Sequence, residues 1–146
     1  MADPAGTKLY SPQLLALSAS LANYPLDSAF SRRAEARSRT CGSTIIAGLD
    51  TDDDQRVSRI GMQVSACAVG QSSAAIMAGD IRGRSERDLR NMLSDIEAWL
   101  EDAGATPDWP GFEALVPAKP HTGRHGALLL PWKAALAALS SDDPSG

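Results

Sequence analysis

Ser65-Ala66-Cys67-Ala68-Val69-Gly70-Gln71-Ser72-Ser73-Ala74-Ala75 is the stretch on which the fold turns. Before it, Val57–Val64 alternates with Ile60, Met62 and Val64 on one side, the period of a half-buried strand. After it, Ala68–Gly79 is rich in Ala, Ser and Gly and poor in large side chains. That composition predicts a closely packed helix, with the sheet as its expected partner. The change of period falls at Cys67, so its thiol is expected at a helix N-terminus. Backbone N–H groups there have no intrahelical partner and can face an anionic sulfur. The only other cysteine, Cys41, lies in Arg39-Thr40-Cys41-Gly42-Ser43, directly before the β-like run Thr44–Leu49. Both positions suit a thiolate. The alternative for each is a small buried core residue, which free cysteine commonly is.

Thr44–Leu49 and Val57–Val64 flank Asp50-Thr51-Asp52-Asp53-Asp54-Gln55, which predicts a hairpin with an acidic tip. The tip lacks the spacing and glycine of a calcium loop and reads as a solvated turn. From Ser31 to Arg39, Arg33, Glu35, Arg37 and Arg39 alternate with Ala34, Ala36 and Ser38, as in an edge strand with a charged outer face. Arg32, Arg33, Arg37 and Arg39 form either a solvated surface or a docking patch for an acidic partner. Ser11-Pro12 before Leu14, Leu15, Leu17 and Leu21 predicts a capped helix. Ser85-Glu86-Arg87-Asp88 resembles a capping box, with Leu89, Met92, Leu93, Ile96, Trp99 and Leu100 following at helical spacing and Gly104 as the expected C-cap. A Pro-rich stretch carrying Trp109 and Phe112 leads to a last helix with Trp132, Leu136 and Leu139. Pro131 suits a first turn, so that helix is expected to start near Leu130, leaving 121–127 as a loop. The sum is an α+β fold: a three-stranded antiparallel sheet, helices packed on one face, and the thiols at one end.

A chain of 146 residues with 43% hydrophobic and 22% charged content is sized for one globular core. The expected organisation is one domain over 9–139 between flexible tails at 1–8 and 140–146. A net charge of −4 and a pI near 5.0 argue against general binding to nucleic acid or anionic membranes. No apolar run reaches membrane-spanning length, and the first residues lack a signal-peptide layout. Two cysteines without such a signal read as reduced thiols, so a cytoplasmic location is expected. Ser72 and Ser73 lack a Gly-x-Ser-x-Gly setting, and there is no Gly-rich phosphate loop.

The Cys41-Gly42 turn before a β run, with Cys67-Ala68-Val69 opening a Ser/Ala-rich helix containing Met77, resembles the IscU/SufU/NifU N-terminal family of iron–sulfur cluster scaffolds. The resemblance runs from about Leu9 to about Leu139. It implies an IscU/SufU-like fold and transient binding of iron and sulfur through Cys41 and Cys67, without enzymatic turnover. The implied cargo is a cluster, [2Fe–2S] first. The implied partners are a cysteine desulfurase, iron–sulfur acceptor proteins, a chaperone touching the segment around Lys119, and a second copy of the chain in a homodimer.

Two departures stand out. Ser43 occupies the position of the family's carboxylate after Cys-Gly, and the family's third cysteine is missing. Aligning Val116-Pro117-Ala118-Lys119-Pro120-His121 with the family's proline-basic segment puts Thr122 at the third position. Aligning Arg124-His125-Gly126-Ala127-Leu128 and Trp132 with its final helix puts Ala127 there. His121 or His125 adjoins the gap, so either is a candidate third ligand beside the thiols. Two thiolates and an imidazole with an open fourth position also suit zinc. A degenerate scaffold acting as adaptor or regulator, a zinc-binding sulfur acceptor, and a relay holding persulfide on Cys67 are the other readings.

Overall fold

The computed structural model describes residues 11–39 and 42–140. The flexible-tail expectation at 1–8, that at 140–146 beyond Ser140, and Cys41 itself lie outside the described residues; Ser140 is helical. Helix α1 (Pro12–Ser20) starts where the sequence predicts, with the Ser11 hydroxyl accepting from Leu14 N–H at 3.1 Å and Pro12 in the first turn. A 3-10 turn (Leu21–Asn23) leads towards β1 (Arg32–Arg37), β2 (Thr44–Thr51) and β3 (Val57–Ser65), which form one antiparallel sheet in the order β1-β2-β3. The hairpin tip is a local turn. Asp52 accepts from the N–H groups of Asp54 and Arg56, and Gln55 takes the left-handed backbone conformation.

The period-two pattern sorts the sheet into faces. Ile45, Ala47 and Leu49 of β2 pair with Val64, Met62 and Ile60 of β3 on the core side. Arg33, Glu35 and Arg37 of β1 are exposed on the other side, as expected of the edge strand. Arg32 departs from the charged face, because its guanidinium turns to the core side and donates to the Leu139 carbonyl at 3.3 Å.

Three further helices follow: α2 (Ala68–Asp80), α3 (Glu86–Leu100) and α4 (His125–Ser140). It is α4 that lies across β1 and β2, while α2 is sandwiched between α1 and α4. The small side chains of α2 therefore admit other helices more than the sheet. Ser72, fully buried, donates to the Leu14 carbonyl of α1 at 2.7 Å, and its neighbour Ser73 donates to the Leu128 carbonyl of α4 at 2.6 Å. Ser73 also accepts from Trp132 Nε1 at 2.9 Å. Neither hydroxyl is placed as a nucleophile.

Helix α3 carries the full capping box between Ser85 and Asp88 and buries Leu89, Met92, Ile96 and Trp99. It ends differently from the expectation at Gly104. Asp102 takes the left-handed conformation, its carboxylate held by Lys119, and Gly104 tucks against Ala98. Trp99 stacks edge-on with Phe112 at 5.2 Å, Phe112 meets Trp132 at 6.5 Å, and Trp132 meets Trp109 at 4.9 Å. The last helix starts at His125, so Pro131 lies inside it rather than in its first turn. A proline there leaves the carbonyl four residues back, that of Ala127, without its helical donor. That oxygen faces Gly70 of α2, and packing against α2 and the sheet holds the helix through the proline.

The outer face of the sheet is partly covered as well. Gly48 and Gly61 are cross-strand partners, and the Phe30 ring lies on both. Arg59 caps that ring at 3.9 Å while bridging Asp50 and Asp27. A Cβ on Gly61 would fall 2.6 Å from Phe30 Cε2 and within contact of the Pro25 carbonyl oxygen.

Two stability outcomes follow from this packing. Trp99→Ala is expected to lower the unfolding free energy by about 3–5 kcal/mol in urea titration. Gly61→Ala should cost about 1–3 kcal/mol by forcing Phe30 and the Pro25 segment off the sheet. A near-neutral result for either would mean its contacts are absent in solution.

Candidate functional site

Thr44, the first residue of β2, pairs with Arg37 at the end of β1 and with Ser65 at the end of β3. The β1–β2 loop and the entry to α2 therefore share one end of the sheet. In the loop, Gly42 N–H donates to the Ser38 carbonyl, Ser38 N–H donates to the Ser43 carbonyl, and Gly42 has φ +71°. Ser43, where the resemblance calls for a carboxylate, is buried. Cys41 lies outside the described residues, and its chain neighbour Gly42 is at this end.

Cys67 is the N-cap of α2, as expected from the change of period. Its backbone is extended, with φ −68° and ψ 173°, and its side chain makes no capping hydrogen bond. It is half-buried and a free thiol. The peptide before it is tied down by a residue the sequence reading passed over. Gln71 Nε2 donates to the Ala66 carbonyl at 2.8 Å, and Gln71 Oε1 accepts from the Ser18 hydroxyl of α1 at 2.8 Å. The available signal was compositional: Gln71 is the one long polar side chain in the first three turns of a helix made otherwise of small and apolar residues.

Helices α2 and α4 run parallel, because Gly70 meets Ala127 while Ser73 meets Leu128 and Trp132. Their N-termini thus open on the same end, where two helix dipoles favour negative charge. Ala127, one of the two candidate third positions, is fully buried, and its Cβ would lie 3.3 Å from a Cβ on Gly70. Thr122, the other, is exposed in a 3-10 turn (Thr122–Arg124).

His125 is the first residue of α4. Its Nε2 lies 2.6 Å from the Lys119 carbonyl oxygen, which can only accept, so Nε2 carries the proton. In the neutral tautomer that this bond selects, Nδ1 is the nitrogen that carries the lone pair. His121 caps the preceding 3-10 turn, with its backbone N–H on the Ala118 carbonyl. Lys119 is held by Asp102 at 2.5 Å and lies over the Trp99 ring at 5.7 Å. The hydrogen bond and charge of Lys119 hold the Asp102 carboxyl below the usual carboxylate range. Among the described residues, no three His, Cys, Asp or Glu side chains are grouped to hold a metal ion. The fold brings the α2 and α4 entries together without completing a three-donor set from those residues.

No protein-family model and no curated protein matches the sequence. Solved structures do. The N-terminal NifU-like protein of Brucella abortus, described as nitrogen-fixing, superposes with a TM-score of 0.82 at 24% identity, over 92% of this chain and 94% of that one. This is the NifU/SufU fold. A second structure with it is SufU from the thermophile Fervidobacterium islandicum, described as a candidate iron–sulfur cluster assembly scaffold protein for the SUF system. It matches with a TM-score of 0.74 at 19% identity, over 92% of this chain and 98% of that one. A hypothetical protein matches with a TM-score of 0.62 at 18% identity, over 86% of this chain and 96% of that one. The NifU/SufU fold here agrees with the expected α+β class, with its three-stranded antiparallel sheet and helices on one face. Among the described residues no helix is long and apolar enough to cross a membrane.

The alignment of the α2 and α4 entries depends on the Ser73 hydroxyl. Ser73→Ala leaves the buried Trp132 Nε1–H unpaired and is expected to destabilise by about 1–3 kcal/mol in urea titration. Unchanged stability would mean that water or a rearrangement replaces this bond.

Proposed function

We propose that this chain is an iron–sulfur assembly scaffold of the IscU/SufU/NifU type, holding iron and sulfur transiently as cargo through Cys41 and Cys67. The observation that carries the reading is that Cys67 and the described loop residues Gly42 and Ser43 share one end of a NifU/SufU fold. Cys67 stands at the N-cap of α2 there, next to the entry of α4. A thiolate at such a position is oriented to accept sulfur from a cysteine desulfurase. It would attack the outer sulfur of the donor's persulfide, forming a new S–S bond as the donor thiolate leaves. Reduction of that sulfane sulfur to sulfide takes two electrons from an external thiol reductant. Thiolates then hold the iron, with [2Fe–2S] the first expected cluster, before transfer to an acceptor protein. His125 is the favoured third donor, through Nδ1, and His121 the second choice. Two copies of the chain meeting at this end would instead supply four thiolates. The setting we propose is cytoplasmic, with no enzymatic turnover. A chaperone contact at Lys119 would have to displace its ion pair with Asp102.

A second reading is an adaptor or regulator that keeps the fold and partners without a cluster, or a zinc-binding sulfur acceptor. It is favoured by one observation, the burial of Ala127 where the final-helix alignment calls for a third cysteine.

Anaerobic reconstitution with iron, sulfide and a thiol reductant separates the two. Wild type should give a visible-absorbing species containing iron and sulfide, and the Cys41→Ser/Cys67→Ser protein should lose most of it. Equal iron and sulfide uptake by the two proteins would sink the scaffold reading. A colourless or zinc-only wild type that still captures a desulfurase would favour the second reading.

A further inference from the structure

The side chain of Gln71 reaches back past its own helix. Its backbone N–H makes the first-turn bond to the Cys67 carbonyl at 2.9 Å, while its amide group donates to the carbonyl of Ala66, the residue before the thiol. The other end of that amide accepts from Ser18 in α1. One residue thus holds both sides of Cys67, the far side by its backbone and the near side by its side chain, and the side chain is anchored to a neighbouring helix. Cys67 makes no capping bond of its own, so nothing in its side chain fixes the backbone angles that set the direction of its sulfur.

We propose that Gln71 is a positioning residue for Cys67, fixing the Ala66–Cys67 peptide and with it the direction of the sulfur at the N-terminus of α2, with Ser18 as its outer anchor. The proposal rests on the reading of Cys67 as the working sulfur. Without the tie, the Ala66–Cys67 peptide is free to rotate and the sulfur spends less time in the one orientation from which it can attack a sulfur donor.

The test uses the full chain with Cys41→Ser, which leaves Cys67 as the only thiol, and follows its reaction with 4,4′-dithiodipyridine by release of thiopyridone. Gln71→Met keeps the side chain's length and removes both hydrogen bonds. It is expected to slow the reaction about threefold or more near neutral pH. Ser18→Ala should slow it less, and should add nothing to Gln71→Met. Gln71→Glu supplies a readout that a merely structural role would not move: below the glutamate range it should recover the parent's rate while Gln71→Met stays slow. Protonated, the introduced carboxyl can still donate to Ala66 and accept from Ser18; ionised, it cannot donate. Its rate relative to the parent should therefore be near one in acid and fall as pH rises through the glutamate range near about 4.3. A Gln71→Met rate within about 1.5-fold of the parent overturns the proposal. So does a Gln71→Glu ratio that is flat with pH, or additive effects of Ser18→Ala and Gln71→Met. If Gln71→Met does not fold, Ser18→Ala and Gln71→Glu decide. Neither iron nor a desulfurase enters the measurement, so a failed reconstitution leaves this result standing, and a failed tie leaves the scaffold reading standing.

Discussion

The hydroxyl of Ser73 is the constraint around which this fold is organised. It sits on a fully buried turn of α2, donating to the backbone of α4 and accepting from the indole of Trp132 in the same helix. A larger residue would push the helices apart, and alanine would leave the indole N–H unmatched in the core. Because Ser72 makes the equivalent bond to α1, adjacent residues fasten α2 to both neighbours at short range. Close approach then reaches one turn further, where Gly70 accepts Ala127 against it. The side-by-side entries of α2 and α4 descend from that spacing.

What the chain declares openly is what is decided within a few residues. Ser85 and Asp88 satisfy each other's backbone across one turn, so the start of α3 was visible in four letters. The hairpin and the edge strand were equally plain, because side-chain period two marks which face is buried. Cys67 could be placed at a helix start because the period changes there.

Features set by distant partners were hidden. Gly104 seemed the natural helix terminator, but Lys119 rewards a carboxylate at Asp102, which takes the left-handed position instead. Pro131 seemed to mark a helix start, yet the carbonyl it frees lies against Gly70, a contact between residues 57 apart in a chain read one residue at a time. The partner of α2 was misjudged for the same reason: small residues announce close packing without naming the neighbour. Of the candidate site, the α2 entry was legible, the alignment of the α4 entry was not, and Gln71 became visible only once Ser18 and Ala66 were seen on either side of it.

The parallel course of α2 and α4 has a bearing on how this molecule meets others. Each helix start carries roughly half a unit of positive charge, and Arg39 lies on the same end just past β1, beside Arg37, whose charge is shared with Glu35 at 3.0 Å. The protein as a whole carries a net −4. It is therefore an acidic body with a locally positive pole, and the pole is where Cys67 stands. Within about 8–10 Å, the screening length of cellular salt, an acidic surface attracts that end and repels the remainder. Diffusional encounters with such a surface are biased towards arrival sulfur-first.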